Sequence, residues 1–258
     1  MAMELWTSPT PNGWKVTIML EELKEAGVAL PEVKLVPVDL MQKRQQFSVA
    51  FTEVSPNQKI PGLRDGDITI MESCAILLYL AEKYPSPLLP GGESRWDVIQ
   101  WLFWQAAGVG PTFGNKLSYT RYMDDIPMEQ KEHPLQRFNN EAQRLLRVLN
   151  RQLEGRDYIC GDGLSIADIA AYPWVRGWKW SKVDITGHAN VVSWVDRVRA
   201  RPAVERGLSY DFAQDEIDSW TEETRKRYAS GGASIASNES IASVNCCLLY
   251  TSPSPRDR

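Results

Sequence analysis

A nine-residue segment divides the chain. Tyr84 to Gly92, YPSPLLPGG, holds three prolines and two glycines, and neither a helix interior nor a central strand tolerates that density of missing N–H groups and loose backbone. The hydrophobic period differs on its two sides. Before it, Met3 to Trp6 alternates as a strand does, and Thr10-Pro11-Asn12-Gly13 follows. Thr10 suits a helix N-cap and Pro11 the first helical position, where a missing N–H costs nothing. Val16, Leu20 and Leu23 then share one helical face, Gly27 stops that helix, and Val33 to Leu40 (VKLVPVDL) reads as a second, parallel strand. Ile60 to Arg64 and Ile68 to Met71 flank Asp65-Gly66, a strong hairpin signal, and Glu72-Ser73 opens a helix over Ser73–Lys83. The first 83 residues thus spell βαβ followed by ββα.

Beyond the linker the period is helical throughout. Val98, Trp101, Leu102 and Gln105 fall on one segment, and Leu135, Phe138, Ala142, Leu145, Leu146, Leu149 and Leu153 on a longer one. Seven of the ten tryptophans lie between Trp96 and Trp194, a concentration that serves either core and interface filling or an aromatic ligand cage. Ser165 and Asp168 stand as N-cap and third residue of a capping box, with Leu164 and Ile169 at the staple positions. Asp168 could instead be a catalytic carboxylate, but a short acid there complements the helix dipole. The expected organisation is an α/β domain over 1–83, a linker over 84–94, an all-α domain over 95–212, and an extension over 213–258.

The extension changes composition near Ser230, becoming small and polar without a period, which reads as disorder. Cys247 to Asp257, CLLYTSPSPRD, resembles the conceptual translation of a sequencing-library adapter. On that reading residues 247–258 are no part of the natural protein; the alternative is an ordinary disordered tail. The 258 residues otherwise suffice for two domains, and a formal net charge of −4 gives no electrostatic reason to expect nucleic acid or an anionic membrane as partner. The N-terminal residues lack the basic and apolar regions of a signal peptide, no apolar run reaches membrane-spanning length, and the four cysteines form no CxxC pair or metal-ligand spacing. A cytoplasmic, reducing location without a metal is the expectation.

Three segments carry candidate chemistry. The strand-to-helix junction Ser8 to Gly13 aims helix-start N–H groups at an anion such as a thiolate, yet it contains no cysteine, so any thiol there must arrive with a substrate. Thr10 and Asn12 offer a hydroxyl and an amide to such a sulfur; alternatively Thr10 only caps the helix and Asn12 is solvated. Ser55 to Pro61, SPNQKIP, places a proline at the start of a strand facing that junction, where an extended peptide can pair. Glu72 and Ser73 supply a carboxylate for an amine, and a hydroxyl with helix-start amides for a carboxylate. Together they describe a receptor for a zwitterionic thiol peptide.

On these residues the chain resembles a cytosolic glutathione transferase over about residues 3 to 212. The motifs are PTPNG (9–13), SPNQKIP (55–61), ESCAILLYLAEKY (72–84), QWLFWQAAGVGP (100–111) and SIADIAAYPWV (165–175). The first and fourth are similar to those of the bacterial Nu class and of related fungal transferases that resemble a yeast nitrogen-regulating prion protein. The resemblance implies a thioredoxin-like N-terminal domain, an all-helical C-terminal domain, homodimerisation, and glutathione as cosubstrate without metal or organic cofactor. It implies that Thr10 and Asn12 contact the glutathione sulfur and that Ile60, before a cis Pro61, pairs with the cysteinyl backbone. Glu72 and Ser73 would then hold the γ-glutamyl end, Gln46 and Lys59 the glycyl end, and Arg137 would reach the site, with Arg144 and Arg147 near it on the same helix.

The implied activity is glutathione-dependent disulfide reduction, with transfer to small electrophiles or peroxides as lesser activities. The alternative is a non-catalytic glutathione-binding regulator on the same fold. Second-substrate choice would lie with Gly108 to Tyr122 and Trp174 to Trp180. Two departures stand out: Cys74 replaces the more usual glycine after Ser73, as a small buried residue or as a redox-sensitive thiol, and Trp14 is bulkier than is common at its position.

Overall fold

The computed structural model describes residues 2–40, 43–123 and 126–210. The extension and adapter-like segment expected over 213–258, with Cys246 and Cys247, lie outside the described residues.

Four strands, β1 (Met3–Thr7), β2 (Val33–Pro37), β3 (Gly62–Asp65) and β4 (Ile68–Met71), form one sheet in the order β2-β1-β3-β4. β1 and β2 are parallel; β1/β3 and β3/β4 are antiparallel. β2 ends at Pro37, short of the Leu40 expected from its apolar run. Pro37 has no N–H for the ladder, and the chain turns away once the Val38 N–H has bonded the Thr7 carbonyl at 2.9 Å. Helix α1 (Pro11–Glu25) links β1 to β2, α2 (Val49–Val54) precedes β3, and α3 (Ser73–Lys83) follows β4. This is the thioredoxin-like arrangement, a mixed sheet with helices.

The apolar face read along α1 is buried: Val16, Leu20 and Leu23 are all inaccessible and join Met3, Leu5 and Leu63 of the sheet and Ile76, Leu77 and Leu80 of α3. Past the linker come α4 (Ser94–Trp104), α5 (Gly110–Arg121), α6 (Met128–Gln152), α7 (Ile166–Arg176), α8 (Trp178–Ser181), α9 (Ala189–Arg199) and α10 (Pro202–Leu208). Between α4 and α5 the helix widens into a π turn, Gln105–Val109. Trp194 and Tyr172 are among the largest fully buried side chains, so these two aromatics fill the helical core.

The two domains close on α1. Thr17 Oγ1 donates to the Gly207 carbonyl at 2.6 Å, and a Cβ at Gly207 would come within 2.6 Å of the Ile18 backbone, so only glycine lets α10 approach this near. The Arg201 guanidinium forks onto the buried Glu22 carboxylate through two bonds of 2.6 Å. Among the described residues no helix is long and apolar enough to cross a membrane.

Candidate active site

The strand register gathers the three segments at one end of the sheet. Trp6 pairs with Gly62, and Gly62 with Met71. The residues that follow β1, precede β3 and follow β4 therefore leave the sheet side by side: Ser8 to Thr10, Ile60-Pro61, and Glu72-Ser73. The Ile60–Pro61 peptide is cis.

Thr10 is the N-cap of α1 in extended backbone, and its Oγ1 accepts the Gly13 N–H at 3.3 Å. A Cβ on Gly13 would lie 2.1 Å from the Ser8 carbonyl oxygen, so glycine is required for the junction to fold this tightly. The Thr10 hydroxyl proton stays available, because accepting one bond does not engage it.

Asn12 is half-buried rather than solvated, and its Oδ1 accepts the Trp174 indole N–H at 3.0 Å. An indole nitrogen only donates, so this bond fixes which end of the amide is which: the oxygen faces α7, and the NH₂ is turned away from it, without a hydrogen-bond partner among the described residues. Trp174 is itself held by the absence of side chains opposite. A Cβ on Gly114 would meet its ring at 3.2 Å, and one on Gly110 would meet its nitrogen at 3.5 Å. Two residues on in α1 the Trp14 ring lies under the Arg176 guanidinium, 5.1 Å from ring centre to carbon.

At the α3 end, Glu72 is exposed and takes a positive φ of 72° as N-cap, while Ser73 is buried. Ser73 Oγ accepts from Lys15 Nζ at 3.2 Å, which joins α3 to α1. Lys15 is only 2% exposed. Its Nζ also reaches Gln105 Oε1 at 2.9 Å and Cys74 Sγ at 3.9 Å. Cys74 Sγ donates to the same Gln105 oxygen at 3.2 Å. Burial pushes the Lys15 pKa down, opposed by Cys74 and Glu72, and burial pushes the Cys74 thiol up, opposed by Lys15. Cys74 is therefore a protonated, packed thiol.

The remaining candidates sit further out. Gln46, in the 3₁₀ turn Gln45–Phe47, donates to the Leu40 carbonyl at 3.2 Å and leaves its buried Oε1 without a partner among the described residues. Lys59 is exposed, its carbonyl held by Ser55 Oγ at 2.8 Å. Arg137 is exposed on α6, and no hydrogen bond among the described residues joins it to the α1 and α3 cluster. On the same helix Arg144 is forked onto Glu141.

Lys15, Gln105 and Trp174 were not singled out as site residues from the sequence. Two of them left a trace: Gln105 is the one polar residue on the stripe Val98, Trp101 and Leu102, and Trp174 opens the stretch assigned to second-substrate choice. Lys15 left none, because a lysine beside Val16 on an amphipathic helix reads as the solvated edge. Asp168 is buried and structural: it accepts from Ile159 N, Ser165 N, Ser165 Oγ and Trp194 Nε1 at 2.8–3.0 Å.

The sequence matches the glutathione S-transferase N-terminal domain over residues 1–82 and the glutathione S-transferase C-terminal domain over residues 109–202. It is 38% identical over 213 residues to the disulfide-bond oxidoreductase YfcG of Escherichia coli, covering 80% of this chain and 94% of that protein. Among solved structures, a glutathione transferase family member from Pseudomonas fluorescens with two glutathione bound superposes with a TM-score of 0.73 at 37% identity, covering 80% of this chain and 92% of that one. A glutathione transferase from Pseudomonas putida with one glutathione disulfide bound per subunit gives 0.71 at 36% identity, covering 81% and 91%.

Proposed function

Because the chain belongs to the glutathione S-transferase family, we propose that it is a cytoplasmic, homodimeric enzyme of the Nu-class type that reduces small disulfides with glutathione. Transfer of glutathione to electrophiles or peroxides is a lesser activity of the same site, and glutathione is cosubstrate, with no metal or organic cofactor. The oxidoreductase relative and the glutathione-bound neighbours favour this over the regulatory reading.

The observation that carries the proposal is the orientation of Asn12. With its oxygen held by Trp174, its NH₂ is turned away from α7, and Asn12 follows the N-cap Thr10 by two residues at the start of α1. Two donors and the positive end of a helix dipole favour a thiolate over a thiol. Ile60 pairs with the cysteinyl backbone, Glu72 and Ser73 hold the γ-glutamyl amine and carboxylate, Gln46 and Lys59 lie toward the glycyl carboxylate, and Arg137 approaches from α6.

In this site glutathione gives its thiol proton to solvent, and the thiolate attacks one sulfur of the substrate disulfide. The glutathionyl–sulfur bond forms as the substrate S–S bond breaks, and the departing thiolate takes up a proton. A second glutathione thiolate attacks the mixed disulfide at the glutathionyl sulfur, giving glutathione disulfide and the second substrate thiol. Two glutathiones are oxidised for each disulfide reduced.

Steady-state reduction of 2-hydroxyethyl disulfide tests this. Asn12→Ala removes one hydrogen bond to a charged atom and lowers kcat/KM about tenfold to hundredfold, with much smaller change in glutathione affinity. Binding of glutathione without turnover by the wild-type protein, or unchanged turnover in the variant, overturns the reading.

A further inference from the structure

Lys15 is a buried amine with no carboxylate against it, and burial pushes its pKa down. Its three polar neighbours, Ser73 Oγ, Gln105 Oε1 and Cys74 Sγ, are all neutral. Three acceptors around one nitrogen match an ammonium, which has three protons to give. No salt bridge involves Lys15 among the described residues, and the nearby acid, Glu72, is exposed. A structural lysine in this position is a poor choice: an apolar residue would fill the space without the desolvation cost of an unneutralised charge.

Gln105 reinforces the point. It is fully buried at the first position of the π turn, a helical irregularity found mostly where function demands it, and its Nε2 has no partner among the described residues. Its single oxygen is aimed at the Lys15 ammonium and also takes the Cys74 thiol proton. The all-α domain thus reaches across to fix the lysine head against α3.

We propose that Lys15 is a positioning residue for the α-carboxylate of the γ-glutamyl group. It occupies an acceptor site of the Ser73 hydroxyl, which leaves that hydroxyl its proton to give, and it places a compensating positive charge behind the first residue of α3. The ligand carboxylate neutralises a charge that the protein itself leaves unpaired. Lys15 does not touch the substrate; it acts through Ser73 and through its charge. The inference deepens the proposed function and rests on the reading of Glu72 and Ser73 as the γ-glutamyl site.

Calorimetric titration of the full chain with two ligands tests it: glutathione, and the analogue lacking only the α-carboxylate of the γ-glutamyl residue (4-aminobutyryl-cysteinyl-glycine). Lys15→Met weakens glutathione binding about tenfold to hundredfold, as expected for one charge-assisted contact, and changes the analogue by less than about twofold. Equal losses for both ligands, or none for glutathione, overturn the assignment. Failure of the wild-type protein to bind glutathione overturns the reading of the site itself, a distinct result visible before any variant is made. If the methionine variant does not fold, Lys15→Gln, which keeps a donor for Ser73 but removes the charge, is read by the same two ligands.

Discussion

Two buried charges, Asp168 in the all-α domain and Lys15 in the thioredoxin-like domain, solve the same problem in opposite ways. Asp168 is fully inaccessible and takes four donors from backbone and side chains of its own domain, one for each lone-pair direction of a carboxylate. Nothing about it waits for a ligand. Lys15 has its hydrogen bonds but no opposite charge, and one of its partners is the hydroxyl that ends at the site. A buried charge saturated by its own fold organises that fold. One left electrically incomplete beside a helix N-terminus is set for an anion.

The largest effect expected from breaking this contrast is on stability. Asp168→Ala strips the acceptor from the Ile159 N–H, the Ser165 N–H and the Trp194 indole at once, and costs about 3–5 kcal/mol. Urea unfolding followed by tryptophan fluorescence measures it. Glutathione affinity of the folded fraction should be unchanged; a matching loss of affinity would erase the distinction between the two charges.

The legibility of the two charges in the sequence differs for the same reason. Asp168 announces itself through local spacing, because a capping acid three residues after Ser165 is a short-range pattern. The βαβ and ββα order, the hairpin at Asp65-Gly66 and the N-cap Thr10 were readable on the same grounds, each needing only neighbours within about a turn. Lys15 was not, since its three partners come from α3 and from the π turn, 58 to 90 positions away. The role of Asn12 lay between: the residue was visible, but the orientation that makes it a donor depends on Trp174, 162 positions distant. Local chemistry was legible, while the polarity of the site was set by contacts between domains.

A smaller effect sharpens the same comparison. Trp174→Phe keeps a ring against Gly110 and Gly114 but removes the indole N–H, so the Asn12 amide loses the bond that orients it. Disulfide turnover should fall about fivefold to tenfold, the worth of one neutral hydrogen bond, with little change in unfolding free energy. In combination with Asn12→Ala the second substitution should add almost nothing, because both remove one interaction. Full additivity in kcat/KM would mean that Trp174 acts on the site by another route.

The smallest effect concerns the far end of α1, where charges are partnered and half in solvent. Burial alone would raise the Glu21 carboxyl, but hydrogen bonds from Lys24, Arg206 and Tyr210 outweigh it and hold the pKa at about 2, against an ordinary 4.5. A carboxyl depressed in the folded state contributes stability that is fully present above its unfolded pKa. That contribution is lost as pH falls from about 4.5 toward about 2. At neutral pH Glu21→Gln should cost at most about 1 kcal/mol, because Lys24 and Arg206 are about half exposed and screened. Its signature is in the pH profile: wild-type stability falls more steeply through the acid window than the variant's, and thermal melts from pH 7 to pH 2.5 should show the two curves converging. Parallel curves would show that Glu21 is no more tightly held than a solvated glutamate, leaving the fork of Arg201 on Glu22 as the clamp between α1 and the helical domain.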